Sequence, residues 1–216
     1  MAHLKRKRVP KSWPIHRKGS TYIIRPASGI GNGVPLLVLL RDMLGICANR
    51  KEVKRALHLK QINVNGKLPK SEKSTIALFD KISIPESKKY YRLTLKENGK
   101  YGVVPIPAKD AETKVAKITG KKILKGKKVQ INLSDGRNFL TNDSCKVNDS
   151  AIINFKDKKI EKCLPLKEKA KVIVIGGKHF GKRGLIEKIK EDRGMVSVKA
   201  NGEKINVLIK QVMVNQ

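Results

Sequence analysis

Chemistry is most densely suggested at Gly176-Gly177-Lys178-His179-Phe180-Gly181-Lys182-Arg183, which follows the apolar run Val172 to Ile175. Gly-x-x-x-x-Gly-Lys is the spacing with which a loop wraps nucleotide phosphates in its backbone N–H groups while the lysine reaches the outer phosphates. The next position must then supply a hydroxyl to Mg²⁺, and Arg183 has none. Gly184 also interrupts the helix whose N-terminus would hold the phosphates, and too little chain follows for an α/β sheet. Nucleotide hydrolysis is therefore not expected. The four histidines are dispersed among basic residues, which works against both metal ligation and base catalysis. Cys47, Cys145 and Cys163 are odd in number and too scattered for a Cys-x-x-Cys ligand pair, so reduced, structural thiols are expected. No pair of carboxylates stands in an apolar context suited to acid/base work. The sequence predicts no catalytic residue, no metal, no cofactor and no small-molecule substrate.

What remains is charge. Lys and Arg number 49 against 18 Asp and Glu, a formal net charge of +31 over 216 residues. Such a chain repels itself unless a polyanion screens it, and nucleic acid is the natural one, because each neutralised phosphate releases condensed counterions. A membrane surface fits less well. Aromatics make up 4% of the chain, and the longest apolar run, Val34 to Leu40, is far too short to cross a bilayer. A soluble, intracellular protein with no membrane partner is expected.

The charge must be carried by definite elements. Residues 1–34 hold no acidic residue, and their first eighteen positions carry Lys5, Arg6, Lys7, Arg8, Lys11, Arg17 and Lys18 around one stacking aromatic, Trp13. Pro10, Pro14 and Pro26 prevent a continuous helix, which predicts an extended basic arm that orders when threaded through folded RNA. Lys5 to Arg8 would also suit a nuclear localisation signal, a common pattern in basic chains. Gly29, Gly31 and Gly33 do not match a dinucleotide fingerprint and read as a flexible loop.

From Pro35 to Lys67 the pattern is sharper. Pro35 suits a first helical position, and Leu36, Leu37, Leu39, Leu40, Met43 and Leu44 form an apolar face that stops at Gly45. Asn49 stands three residues before Glu52, a capping box, with Ala48 and Val53 at the positions of a hydrophobic staple. The helix that follows packs Val53, Ala56 and Leu57 and spreads Arg50, Lys51, Lys54, Arg55 and His58 over its other side. Ile62 and Val64 then alternate up to a hairpin turn at Asn65-Gly66.

Ile82 and Ile84 make one more short strand, and Pro85 to Lys89 reads as a boundary. Beyond it Tyr91, Leu93 and Leu95 alternate up to Asn98-Gly99, and Tyr101, Val103 and Val104 return as a hairpin. Val129 to Leu133 and Ile152 to Phe155 are further strands, with helix limited to about Ala108 to Thr113. Before Val129 a crowd of lysines that includes Lys114, Lys117, Lys121 and Lys122 has no acid interspersed in it, which favours surface contacts with phosphates. The last fifty residues promise strands at 172–175, 185–189, 195–198, 205–208 and 212–214, with a turn at Asn201-Gly202. Five short strands in that length imply a small closed barrel, because an open sheet would leave its edges unpaired.

These pieces resemble known RNA-binding modules. VIVIGGKHFGKRGLIEKI resembles the KOW element of ribosomal proteins and transcription elongation factors, with Lys178, His179, Lys182 and Arg183 at its glycine-rich tip. The motifs LLVLLRDML, NRKEVKRAL and INVNGK look like the small module shared by a bacterial small-subunit ribosomal protein, pseudouridine synthases and tyrosyl-tRNA synthetases. Their order, with the arm HLKRKRVPKSWPI ahead and the KOW element near the end, is similar over essentially the whole chain to the e-type family of archaeal and eukaryotic small-subunit ribosomal protein four. The short tail looks more like the archaeal form.

The resemblance implies an α+β, multi-domain chain: a basic arm over 1–34, a small helix-helix-strand RNA-binding module over 35–88, a central β-rich domain over 89–166 and an SH3-like KOW barrel over 167–216. It implies a non-catalytic, cytoplasmic constituent of the small ribosomal subunit whose partners are ribosomal RNA and neighbouring ribosomal proteins. Arg41, Arg50, Lys51, Lys54 and Arg55 would then contact RNA, as would the arm and the tip around Lys182 and Arg183. Trp13 would either stack on a base or pack beneath the first module. Two other classes fit parts of the chain: a transcription-elongation or translation accessory factor that carries the KOW element, and an RNA-modifying enzyme that carries the opening module. For the enzyme, residues 90 to 165 are short and poor in acids.

Overall fold

A computed structural model describes residues 3–141, 145–190, 194–200 and 202–215, and within them the protein is dominated by β-strands with few and short helices. The chain forms two compact units. The first holds residues up to 96 together with 100–112, and the second holds 97–99 together with the chain from 113 onward. Among the described residues no helix is long and apolar enough to cross a membrane.

In the first unit the expected arm is folded back on itself. β1 (Leu4–Lys5) pairs antiparallel with β2 (Tyr22–Ile23). The Arg6 guanidinium closes the loop between them by donating to Ser20 O and His16 O, both at 2.7 Å, and to Ser20 Oγ at 2.8 Å. Leu4, Val9 and Trp13 of this segment are buried. An extended, free arm is thus corrected to a hydrogen-bonded loop, because the segment carries enough apolar residues to bury a floor of its own.

β3 (Val34–Pro35) leads into α1 (Leu36–Val38), whose helical course continues through Leu39–Met43 with wider i→i−5 bonds. Leu36 to Leu40 are all buried. Pro35 caps this helix in extended backbone instead of occupying its first turn, since its carbonyl side must first pair with β5. Gly33 precedes it with φ +150°, where a Cβ would lie 2.1 Å from Ile76 O, so one of the three loop glycines is sterically required. α2 (Arg50–His58) begins at Asn49, whose Oδ1 accepts from Glu52 N at 3.0 Å. Glu52 completes the box one residue early by accepting from Ala48 N at 2.7 Å. Val53 is fully buried while Ala48 is exposed, so the cap holds the helix start through its polar half.

β4 (Asn63–Val64), β5 (Thr75–Ile76), β6 (Lys81–Ile84), β7 (Lys89–Leu95) and β8 (Tyr101–Pro105) complete this unit. β5 pairs with β3, and the others form one sheet in the order β4-β6-β7-β8. Asn65 and Gly66 both take positive φ in the turn after β4, and Asn65 is stitched to Asp80 and Lys81 by its side chain. Of the stretch Pro85 to Lys89, expected as a boundary, residues 85–88 are the turn between β6 and β7 and Lys89 begins β7.

The second unit holds two five-stranded antiparallel sheets. The first is built from β9 (Thr113–Ile123), β10 (Val129–Leu133), β11 (Asn138–Thr141), β12 (Ser150–Asn154) and β13 (Lys159–Leu164), in the order β11-β10-β9-β12-β13. Its middle strand is the lysine-rich segment expected as surface. Lys114 and Lys117 are buried there: Lys114 Nζ pairs with Asp135 Oδ2 at 3.0 Å, and Lys117 Nζ donates to Ile209 O at 2.5 Å and Val212 O at 2.6 Å. Neither can reach a phosphate, which corrects the expectation for these two. The β12–β13 hairpin also brings Cys163 beside Cys145, and the two form a disulfide with Cα atoms 5.9 Å apart, while Cys47 is free and buried. The expectation of three reduced thiols fails because pairing in space, not spacing in sequence, decides a disulfide.

The second sheet comprises β14 (Lys171–Val174), β15 (Arg183–Lys190), β16 (Met195–Ala200), β17 (Glu203–Leu208) and β18 (Val212–Val214), in the order β17-β16-β15-β14-β18. Its core is aliphatic, with Val172, Val174, Ile186, Val196, Val198 and Val212 at its centre. Of the expected Asn201-Gly202 turn, Gly202 takes φ +83° and Asn201 lies outside the described residues.

Candidate nucleic-acid interface

The best-defined cationic surface is built by α2. Burial of Val53 fixes the helix rotation, and Lys51, Lys54, Arg55 and His58 are left exposed. No carboxylate pairs with any of these four among the described residues. Arg50 differs. Its Nε and Nη2 both donate to Glu72 Oε1, at 3.1 and 2.5 Å, and the Glu72 side chain is only 8% exposed. Burial pushes the Glu72 carboxyl up, but the Arg50 bond and the nearby Lys54 charge outweigh it and hold the group below its ordinary value. Glu72 therefore stays ionised and fixes Arg50 at the helix start. Arg41 is likewise engaged, donating from Nε and Nη2 to the Asp42 carboxylate at 2.9 and 3.0 Å. The sequence placed both arginines on the surface but did not reveal these partners. Glu72 lies 22 positions from Arg50, with no local pattern to link them.

In the folded-back N-terminal loop Lys5, Lys7, Arg8, Lys11, Arg17 and Lys18 are exposed, whereas Arg6 is spent on the loop's own carbonyls. Trp13 is 2% exposed and offers no face to a base, so its place is the core. The exposed ring of this segment is Tyr22, 55% exposed, with the His3 ring centroid 5.5 Å away. The aromatic and β-branched run Thr21 to Ile24, facing Leu4, was the signal for this pair.

In the second unit Lys121 and Lys122 are exposed near the end of β9, with Lys121 Nζ 3.3 Å from Cys145 O. Gly176 to Lys182 is the tip between β14 and β15. Val174 N donates to Lys182 O at 3.0 Å and Gly181 N to Val174 O at 2.9 Å, so this backbone closes on itself and no helix follows, which removes the phosphate-loop reading. Gly184 is required for another reason: a Cβ there would lie 2.2 Å from Lys199 O on the neighbouring strand. Lys178 and Arg183 are exposed, His179 is half-buried, and Lys182 meets Glu203 at 3.2 Å. Among the described residues no group of His, Cys, Asp or Glu is arranged to hold a metal ion.

A β-dominated chain of two compact units with exposed cationic surfaces has the features of a binding protein, and its relatives give that class a family. Residues 87–160 match the model of the ribosomal family S4e, and residues 2–29 match the RS4NT domain. The small ribosomal subunit protein eS4 of Methanocella arvoryzae is 38% identical over 191 residues, covering 87% of this chain and 81% of its own. Its counterpart in Archaeoglobus fulgidus is 37% identical over 190 residues, with 87% and 80% covered. The crystal structure of the 30S ribosomal protein S4e from Thermoplasma acidophilum superposes with a TM-score of 0.71 at 28% identity, over 84% of this chain and 93% of that one. The chain belongs to the eS4 family of ribosomal proteins.

Proposed function

We propose that this chain is a non-catalytic structural constituent of the small ribosomal subunit that binds ribosomal RNA and braces its folded helices, in contact with neighbouring ribosomal proteins in the cytoplasm. The observation that carries this reading, beside the family, is the α2 face: Lys51, Lys54 and Arg55 exposed on a rigid helix, none of them in a salt bridge with a carboxylate among the described residues. Cations held on a rigid element neutralise phosphates at fixed angles, which supplies affinity and fixes how RNA helices approach one another. Lys5, Lys7, Arg8, Lys11, Arg17 and Lys18 in the N-terminal loop, Lys121 and Lys122 on β9, and Lys178, His179, Lys182 and Arg183 at the β14–β15 tip add further phosphate contacts. Arg50 and Arg41 contribute as members of ion pairs. The last sheet is read as the SH3-like barrel of a KOW domain, whose tip is the β14–β15 turn.

The test is cosedimentation of the purified chain with small subunits, paired with the salt dependence of its affinity for small-subunit RNA. Changing Lys51, Lys54 and Arg55 together to Ala should lower the slope of log affinity against log salt by about 2 to 3, one phosphate contact per cation. An unchanged slope, or a chain found only in ribosome-free fractions, contradicts the proposal.

A further inference from the structure

The first unit carries a cavity of about 300 Å³ between the C-terminal half of α2 and the segment 69–72. Leu57 and Pro69 give it an apolar wall, Lys54 and Lys70 a cationic rim beside the His58 imidazole, and Glu72 an acidic one. His58 and Lys70 are exposed and have no acidic partner among the described residues. Glu72 is the unusual member. A carboxylate has no place in a pocket that reads only phosphates, because it repels them, yet this one is buried and ionised. Its Oε1 takes both Arg50 bonds, and Oε2 takes no part in that pair.

These three surfaces together match an unpaired nucleotide. Phosphates need the lysines, a base needs an apolar wall to lie against, and a carboxylate accepts hydrogen bonds from the amino groups of cytosine, adenine or guanine. We propose that this pocket receives one extruded nucleotide of single-stranded or bulged RNA, its phosphate on Lys54, His58 and Lys70, its base against Leu57 and Pro69, and its amino group on Glu72. Uracil, which offers a single ring N–H between two carbonyl oxygens that the carboxylate repels, and no amino group, is the poorest occupant. The inference rests on the α2 face being an RNA surface and adds to it a preference for unpaired, amino-bearing bases.

The test uses the full chain and short fluorescent RNAs of equal length: oligo(C), oligo(A), oligo(U) and a blunt duplex, followed by anisotropy at fixed salt. The wild-type chain should bind oligo(C) and oligo(A) more tightly than oligo(U). His58→Ala with Lys70→Ala, both at exposed positions, should weaken oligo(C) binding about tenfold and duplex binding less than about twofold. Glu72→Gln should narrow the gap between oligo(C) and oligo(U). Lys51→Ala with Arg55→Ala, outside the pocket, serves as the comparison and should weaken all four RNAs alike. If the pocket pair changes nothing, or weakens duplex and single strand equally, while the comparison pair still weakens both, the nucleotide pocket is wrong and the RNA face stands. If the comparison pair has no effect either, the face itself is wrong and the pocket falls with it.

Discussion

The two five-stranded sheets of the second unit are alike in size and strand direction but closed by different forces. The β14 to β18 sheet packs an aliphatic core, Val172, Val174, Ile186, Val196, Val198 and Val212 among it, with Ser197 as a buried polar side chain bonded to Asn206 Oδ1 at 2.7 Å. The β9 to β13 sheet buries a smaller apolar group, Ala116, Ile118, Ile131, Leu133, Ala151 and Ile153, and adds a disulfide and two buried lysines. The lysines are there for definite reasons. Lys114 neutralises Asp135. Lys117 lies opposite Ser150 across β9 and β12, and the two side chains meet the free edge of β18: Lys117 donates to Val212 O, and Ser150 Oγ accepts from Val214 N at 3.0 Å. An edge strand exposes a row of unpaired backbone groups, and here a lysine and a serine stand in for the missing neighbour. The difference teaches that one sheet of this basic protein is held by area and the other by specific polar bonds, so the two should fail differently.

The largest effect should come from Lys114→Ala. It leaves the Asp135 carboxylate, 7% exposed, with Arg137 at 3.6 Å as its remaining ion partner among the described residues, and the second unit should lose about 3–5 kcal/mol in denaturant unfolding. Replacing the pair together, Lys114→Met with Asp135→Leu, should recover most of that loss. A double change that costs as much as the two single changes summed would show that the pair does not act as a unit. Next comes the Cys145–Cys163 bond, which closes a loop of 18 residues. Its reduction, or Cys145→Ser with Cys163→Ser, should cost about 2–3 kcal/mol, read as a lower Tm with dithiothreitol. A Tm unmoved by reductant would contradict it.

The third prediction concerns pH. Burial lowers Lys117 from 10.5 to about 8. Between those values the unfolded chain holds a proton that the folded chain has released, so stability should rise as pH goes from about 8 towards 10. The rise attributable to Lys117 should be on the order of 1–2 kcal/mol, and Lys117→Met should remove it. Lys81 in the other unit, lowered by burial and by the Arg92 charge to about 8, acts in the same direction. Stability that is flat between pH 8 and 10 would break the assignment. The smallest effect belongs to the aliphatic sheet: Ile173→Val, fully buried, should cost about 1 kcal/mol with no pH dependence. A pH-dependent loss there would erase the contrast between the sheets.

The same contrast explains what was readable. The strands at 171–174, 183–190, 195–200, 203–208 and 212–214 fall close to where alternation of Val, Ile and Leu placed them, because every inward position is apolar. β9 was missed although it is the middle strand of its sheet. Lysine at inward positions 114 and 117 erases the alternation that marks a strand. Asn49 and Glu52 announced α2, since a cap is local chemistry, and with it the exposed Lys51, Lys54 and Arg55. Trp13 was not decidable, because a tryptophan in a basic segment suits either a base or a core.

The sequence by itself determined the polyanion partner, the absence of a phosphate loop at Arg183, the capped basic helix, the aliphatic last sheet and the family resemblance. Each follows from composition or from residues within a few positions of one another. Only the tertiary structure decided which cations are free. Arg6, Arg50, Lys114 and Lys117 are spent on partners 10 to 95 positions away, and Lys51, Arg55 and Lys70 have no such partner among the described residues. A charge reads the same in sequence whether it faces water or a buried carbonyl, and only the fold brings the carbonyl to it.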